Sequence, residues 1–335
     1  MYKKIAVLTD THQRQHNYLR ISLTERCNLR CSYCMPLEGV QLSPAKHLMN
    51  ANEIYSIAKI FVNLGVTKIR LTGGEPLVRK DFSRILERLS SLNVDLSITT
   101  NAVSIDRYLI QLKKAQVETI NVSLDTLDAD KYQKITFRNY FNRVYQNILT
   151  LISEGFKVKI NAVLMRRINE DEILSFIKFT KNLPVVFRFI EFMPFNGNQW
   201  RREKTISFNE IMGKIKKAYP SNQIIRTKDA PNDTSKNYAI KDYKGSFAII
   251  STVTNPFCDT CNRIRLTADG KLKNCLFSKN ESDLLTALRN KEDLEDIIAK
   301  NINNKFAVRS GMSSPQFFDD PNNHKHNRSM ITIGG

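Results

Sequence analysis

Six cysteines in this chain fall into two groups of three: Cys27, Cys31 and Cys34, spaced C-x3-C-x2-C, and Cys258, Cys261 and Cys275, spaced C-x2-C-x13-C. Thiols grouped in this way hold metal. A structural zinc ion closes a tetrahedron with four protein ligands, and each group here is one ligand short. Three thiolates suit a four-iron cluster whose fourth iron keeps a position open for something else. Zinc completed by a distant fourth ligand is the alternative for both groups, and no His lies inside the second motif to complete a Cys3His site. Disulfides belong to small secreted domains. A chain of 335 residues that starts MYKKIAVLTDTHQRQ, without a long apolar leader, is expected to be a soluble cytoplasmic protein with reduced thiols.

The stretch between the last two cysteines, CNRIRLTADGKLKNC, places Arg263 and Arg265 two residues apart on a β-rich run. Alternation puts both side chains on one face of a strand. Two guanidiniums beside a metal site suit bidentate capture of phosphate oxygens; a solvated charged strand face is the plainer reading.

The elements that must position these groups alternate. β-rich runs occur at 18–24, 68–74, 95–101, 119–125, 157–164 and 185–193, separated by segments with apolar residues at helical spacing. In ANEIYSIAKIFVNLG, for example, Ile54, Ile57, Ala58, Phe61 and Val62 share one face and Gly65 closes the helix. Six such units predict a parallel sheet with right-handed crossovers, either an open barrel or a doubly wound sheet, with its chemistry at the C-terminal ends of the strands. Near residue 194 the pattern changes. A loop, a helix (ISFNEIMGKIKKAY) and a polar, turn-rich stretch at 221–236 lead into the short strands YAIKDY and SFAIIST. A hairpin turning at Ala268-Asp269-Gly270 and two helical patterns at 281–291 and 292–303 follow. The end, DDPNNHKHNRSMITIGG, reads as a loop and mobile tail.

RCNLRCSYCMP (26–36) resembles the cluster motif of radical S-adenosylmethionine (SAM) enzymes, and LTGGEP (71–76) resembles their GGEP element. The resemblance implies a first [4Fe–4S] cluster on Cys27, Cys31 and Cys34 whose open iron binds SAM. By the same resemblance Tyr33 meets the adenine, Gly73 and Gly74 meet the methionyl ammonium through carbonyls, Ser123 touches the ribose or carboxylate, and Met193 packs near the adenine. For Tyr33 and Met193, packing in a loop or core is the plain alternative.

The second cysteine group, CNRIRLTADG and the terminal Gly334-Gly335 narrow the likeness to the GTP 3′,8-cyclase family of molybdenum cofactor biosynthesis, over nearly the whole chain. That family implies an incomplete six-unit (β/α) TIM-like barrel, residues 1–195, closed by a smaller C-terminal α+β domain, residues 196–335. A second [4Fe–4S] cluster on Cys258, Cys261 and Cys275 would bind the guanine. SAM cleavage would give a 5′-deoxyadenosyl radical that takes the 3′ hydrogen of GTP, and the sugar radical would close on C8 to give 3′,8-cyclo-GTP. The family's GTP contacts carry over to Arg20, Arg70, Thr99, Lys159, Arg188, Arg263 and Arg265. Arg263, Arg265 and the diglycine Gly334-Gly335, inserted toward the active site, would serve catalysis. The family also implies a homodimer, an electron donor whose identity the sequence does not give, and transfer of the product to cyclic pyranopterin monophosphate synthase. One departure stands out: the family's TTNG is TTNA here, so Ala102 carries a strain cost of about 1 kcal/mol or more if its φ is positive.

Lys plus Arg is 51 against 33 Asp plus Glu, a formal charge of +18, and the pI is about 9.6. That excess raises a rival from another class, an iron–sulfur protein that modifies or binds nucleic acid. Such a protein should carry a clustered basic stripe with interleaved aromatics, whereas the lysines here are scattered and there is one Trp. A peptide-modifying radical SAM enzyme would carry more C-terminal cysteines. No apolar run approaches membrane-spanning length. Neither nucleic acid nor a membrane is expected as a partner.

Overall fold

A computed structural model describes residues 7–35, 39–320 and 322–334. Twelve strands form one sheet: β1 (Tyr18–Ser22), β2 (Lys68–Thr72), β3 (Asp95–Thr100), β4 (Thr119–Ser123), β5 (Lys157–Leu164), β6 (Val186–Glu191), β7 (Ile224–Arg226), β8 (Lys236–Ile240), β9 (Ser246–Ile250), β10 (Arg263–Leu266), β11 (Lys271–Lys273) and β12 (Ser282–Asp283). Their spatial order is β12-β11-β10-β1-β2-β3-β4-β5-β6-β9-β8-β7. From β10 through β9 every pairing is parallel. The six β/α units of the first half therefore gain one parallel strand on each edge from the last third of the chain.

The outer face is covered by α1 (Ala51–Asn63), α2 (Phe82–Ser90), α3 (Leu109–Lys114), α4 (Ala129–Thr136), α5 (Phe141–Ser153) and α6 (Ile173–Phe179), with α7 (Phe208–Ala218), α8 (Leu284–Arg289), α9 (Leu294–Asn303), α10 (Asn322–Lys325) and α11 (Met330–Ile333) in the C-terminal part. The periodicity explains which face each helix buries. On α1, Ile54, Ile57, Ala58 and Phe61 are buried against the sheet. A capping box between Asn50 and Glu53 satisfies the free N–H groups at its start.

Strand alternation divides the sheet's side chains. Leu19, Ile21, Ile69, Leu71, Leu96, Ile98, Ile120 and Val122 point outward into the main core under the helices. Their neighbours Tyr18, Arg20, Lys68, Arg70, Thr99, Lys159, Arg188, Arg263 and Arg265 point inward and line a cavity. The barrel interior is thus charged where a closed barrel of this kind is packed with branched apolar residues.

Three elements differ from expectation. The stretch 221–236 contains a three-residue edge strand, β7, held antiparallel to β8 by the Ile224–Ile240 register. Residues 128–136, unassigned above, form α4 and its N-cap Asp128, which accepts the N–H of Lys131. The C-terminal segment is folded, not a mobile tail. α11 buries Ile331 and Ile333, and Arg328 anchors it with bonds to Asp269 and Glu281. Composition cannot register such anchors, because their partners lie far away in the chain. Among the described residues, no helix is long and apolar enough to cross a membrane.

Candidate functional site

Two adjoining cavities occupy the barrel, and Thr99, Asn161, Ile190, Met193 and Met330 line both. The upper one, about 200 Å³, lies at the C-terminal ends of the strands and is lined by Cys27, Cys31, Tyr33, Cys34, Gly73, Gly74, Ser123 and Met193 among others. The lower one, about 620 Å³, runs down the barrel to the loop after β7 and is lined by the inward-facing cations together with Cys258, Cys261 and Cys275.

The first cysteine loop leaves β1 and is pinned to the end of α4, where the N–H groups of Arg30 and Ser32 donate to the carbonyls of Thr136 and Ile135, both at 3.0 Å. Tyr33 donates its hydroxyl to Asp125 at 2.7 Å, and Asp125 also accepts the N–H of Val163 at 2.8 Å. The phenol is therefore committed to the end of β4, which leaves the backbone and ring face of Tyr33 for any ligand. Burial pushes the Asp125 carboxyl up to about 6. Gly74 passes so close to the cysteine loop that a Cβ would sit 2.5 Å from the Arg26 carbonyl oxygen. The GGEP glycines thus let the exit of β2 run against the backbone of residues 24–26, with Gly74 N donating to Thr24 O and Glu75 N to Arg26 O. Glu75 then bridges to the end of β3 through Thr100 Oγ1 and Asn101 N, both at 2.7 Å.

Ala102 has φ +59 and is fully buried, so the TTNA departure does fall at a left-handed position. Asn147 Nδ2 holds its carbonyl at 2.7 Å.

In the lower cavity the cations stand in layers set by strand register. Arg20 lies level with Arg70 on β2 and with Arg265 on β10. Tyr18 lies level with Lys68 and Arg263 one layer below. Asn121 on β4 accepts from Arg188 Nη2 and donates to Ile98 O at 3.0 Å. Burial, reinforced by neighbouring cations, pushes Arg188 down to about 9. Burial likewise pushes Arg70 down to about 10, although Tyr18 works against the shift. Lys159 is lowered by burial, then by Arg188 and Arg70. Buried donors with no partner among the described residues face this space: Tyr18 Oη, Arg20 Nε, Arg188 Nε and Arg263 Nη1. Among the described lining residues Asp233 is the only carboxylate. A cavity lined by crowded cations and unmet donors accepts a polyanion.

Sequence reasoning missed Tyr18 and Lys68. The tyrosine ring is overlaid by Arg20 at 5.5 Å, Arg70 at 5.3 Å and Lys68 at 5.7 Å. Tyr18 and Lys68 each stand two residues before Arg20 and Arg70 on their strands, so alternation along the strand sets them on the same inward face.

All six cysteines are free thiols. Among the described residues no three His, Cys, Asp or Glu side chains converge as around one metal ion; the thiolates of a four-iron cube each serve a different iron and need not share one centre. Two triads, each on its own cavity wall, fit two such clusters. Their environments differ. Burial pushes Cys27 up to about 11 and Cys34 up to about 12. At Cys261 burial acts in the same sense, yet Arg263 and Lys305 outweigh it and bring the thiol down to about 6.

The end of the chain packs beside the two cavities, and Met330 lines both. A Cβ on Gly334 would lie 2.7 Å from Ser22 Cβ and 2.8 Å from Thr72 Oγ1, and the φ of Gly334 is +91. Arg265 Nη1 donates to the Gly334 carbonyl at 3.4 Å. Gly335 lies outside the described residues.

The sequence pattern of the radical SAM superfamily matches residues 21–180, and that described as Molybdenum Cofactor Synthesis C matches 185–310. Relatives include "GTP 3′,8-cyclase, mitochondrial" of Arabidopsis thaliana, 45% identical, covering 98% of this chain and 84% of the relative. "GTP 3′,8-cyclase" of Alkaliphilus oremlandii is 38% identical over 98% of this chain and the full relative. "Molybdenum cofactor biosynthesis protein 1" of Drosophila melanogaster is 47% identical over 90% of this chain and 54% of the relative. The chain thus spans about half the length of relatives with that last name. In fold, the chain resembles Streptococcus suis SuiB bound to S-adenosylmethionine, with TM-score 0.64 at 17% identity, over 87% of this chain and 68% of that one. A partial barrel with C-x3-C-x2-C after its first strand defines a radical SAM protein. Within that class, the chain belongs to the GTP 3′,8-cyclase family of molybdenum cofactor biosynthesis.

Proposed function

We propose that this protein is a GTP 3′,8-cyclase, acting at the entry to molybdenum cofactor biosynthesis. One observation carries the reading: each cysteine triad lines one of two adjoining cavities that share five wall residues, and the second cavity is a cage of inward-facing cations with unmet donors. Cys27, Cys31 and Cys34 would hold the first cluster and Cys258, Cys261 and Cys275 the second. When bound, the first cluster and SAM supply the 5′-deoxyadenosyl radical. The chain's residues do the rest. Tyr33, Gly73, Gly74, Ser123 and Met193 wall the upper cavity and orient SAM. Arg20, Arg70, Lys159, Arg188, Arg263 and Arg265 neutralise the triphosphate and hold the nucleotide between the triads, with Thr99 on the boundary between the two cavities. Gly334 seats the end of the chain against Ser22, Thr72 and Arg265, and Met330 of the same segment lines both cavities.

Residues 1–195 would then serve the cofactor and 196–335 the second cluster and the nucleotide, with Arg20, Arg70, Lys159 and Arg188 of the first part sharing that task. A homodimer, a separate electron donor, passage of the product to cyclic pyranopterin monophosphate synthase and a cytoplasmic location belong to the same proposal. The test is anaerobic. The protein is reconstituted with iron and sulfide, given SAM and dithionite, and assayed for 5′-deoxyadenosine with and without GTP. Cleavage stimulated by GTP, with matching GTP loss, is expected, and Cys275→Ser should cleave SAM without forming cyclised nucleotide. Cleavage indifferent to GTP in the unmodified protein would refute the substrate.

A further inference from the structure

Behind the second cysteine triad lies a buried charged network with no part in the reaction as described. Lys305 is 4% exposed. Its ammonium nitrogen lies 3.0 Å from the carbonyl oxygen of Arg263, 3.5 Å from Cys261 Sγ and 3.5 Å from His16 Nδ1. A lysine ammonium has three protons, and here each has its own acceptor. None of the three is a carboxylate.

His16, fully buried, places Nε2 3.0 Å from Asp10 Oδ2. The proton on Nε2 goes to the carboxylate, which leaves Nδ1 to accept from Lys305. Asp10 also takes Arg14 Nε at 2.7 Å and the backbone N–H groups of His12 and Arg14 at 2.9 and 3.0 Å. Arg14 then donates to the carbonyls of Cys258 at 3.0 Å, Phe306 at 2.9 Å and Ala307 at 2.7 Å. Asp10 and Arg14 cancel in charge and His16 is neutral in this tautomer. One positive charge remains, on the nitrogen that faces the sulfur. A buried ammonium is unfavourable unless an anion opposes it, and the sulfur of Cys261, which the Arg263 guanidinium also approaches, is the acceptor in position to do so.

We propose that Lys305 is a second-sphere donor to the cluster held by Cys258, Cys261 and Cys275, aimed by the Asp10–His16 pair, and that its N–H···S bond raises that cluster's reduction potential. Hydrogen bonds to cluster sulfurs are a principal determinant of potential. A donor stabilises the form that carries the extra electron, because charge on sulfur is greatest there. The inference rests on the reading of the second triad as an iron–sulfur site.

The experiment uses the full chain carrying Cys27→Ser, Cys31→Ser and Cys34→Ser, so that any iron bound belongs to the second triad. It is reconstituted and titrated with dithionite and mediators, with reduction followed by electron paramagnetic resonance. Lys305→Met in this background should keep its iron and shift the one-electron reduction equilibrium at least tenfold toward the oxidised form, 59 mV downward. Lys305→Gln, which keeps a donor without the charge, should fall between the two. His16→Phe should move the potential in the same direction as Lys305→Met, by less. A Lys305→Met potential within twofold of the parent overturns the donor role. Should Lys305→Met lose its iron, a Lys305→Gln potential equal to the parent's overturns it instead. A triple-serine parent that takes up no iron would remove the second cluster itself and the donor with it, a failure distinct from an unmoved potential.

Discussion

Arg328→Ala should release the end of the chain without unfolding the barrel. Every N–H of the Arg328 guanidinium that meets a partner meets a carboxylate: Nε contacts Glu281 at 2.8 and 3.0 Å, Nη1 contacts Asp269 at 2.9 Å, and Nη2 contacts Asp269 at 2.9 Å and Glu281 at 2.7 Å. The three side chains are 23%, 14% and 17% exposed. Removing one partner of a fully buried pair costs about 3–5 kcal/mol. Partial exposure lowers that, and Lys273 stays on Glu281 at 3.1 Å, so the loss falls mainly on Asp269. We work with about 2–3 kcal/mol, a 30- to 150-fold shift of the tail from docked to undocked at roughly 1.4 kcal/mol per tenfold. The assay is amide hydrogen exchange of residues 330–334, whose protection should fall by that factor while exchange in β1–β6 stays put. Product yield should fall with it, and SAM cleavage should continue uncoupled. Exchange in 330–334 within threefold of the parent protein would refute the reasoning, since the tail would then be held by Ile331 and Ile333 alone.

Three further outcomes are expected. Gly334→Ala meets a positive φ costing about 1 kcal/mol or more and an overlap costing roughly 1–3 kcal/mol; it should abolish cyclised product while leaving the melting temperature unchanged, because the tail can leave its seat. Tyr18→Phe removes a buried hydroxyl that faces the cation cage, and isothermal titration should show GTP binding weakened about tenfold with guanosine binding unchanged; equal weakening of both would tie Tyr18 to packing. Ala102→Gly gains about 1 kcal/mol by relieving positive φ and loses about 0.8 kcal/mol with its buried methyl, so its melting temperature should move by less than about 2 °C.

Local patterns made the first half readable. β5 spans the run KVKINAVL from end to end, and the apolar stripe of α1 is the one buried. The cysteine spacings and the alternating Arg263 and Arg265 named residues that line the two cavities. What stayed hidden depends on partners distant in sequence. RIRL and SFAII read as strands of a separate C-terminal unit; nothing local says that they extend the barrel in parallel on β1 and β6. Lys305, in the loop NNKFAV, reads as a surface lysine until Cys261, His16 and Arg263 surround it. The tail reads as mobile because Arg328 finds Asp269 and Glu281 only in the folded chain.

The same edge pairing bears on how the chain comes off the ribosome. Asn262 bonds Asn17 from 245 residues downstream, at the point where β10 meets β1. At roughly 5–20 residues per second of synthesis, the nascent β1 edge waits on the order of tens of seconds for its neighbour. Throughout that interval an unpaired row of backbone donors and acceptors is offered to any passing strand. Biosynthesis of this protein should therefore depend on holding factors that shield the early barrel, and a truncation ending before residue 246, with neither β9 nor β10, should accumulate as aggregate.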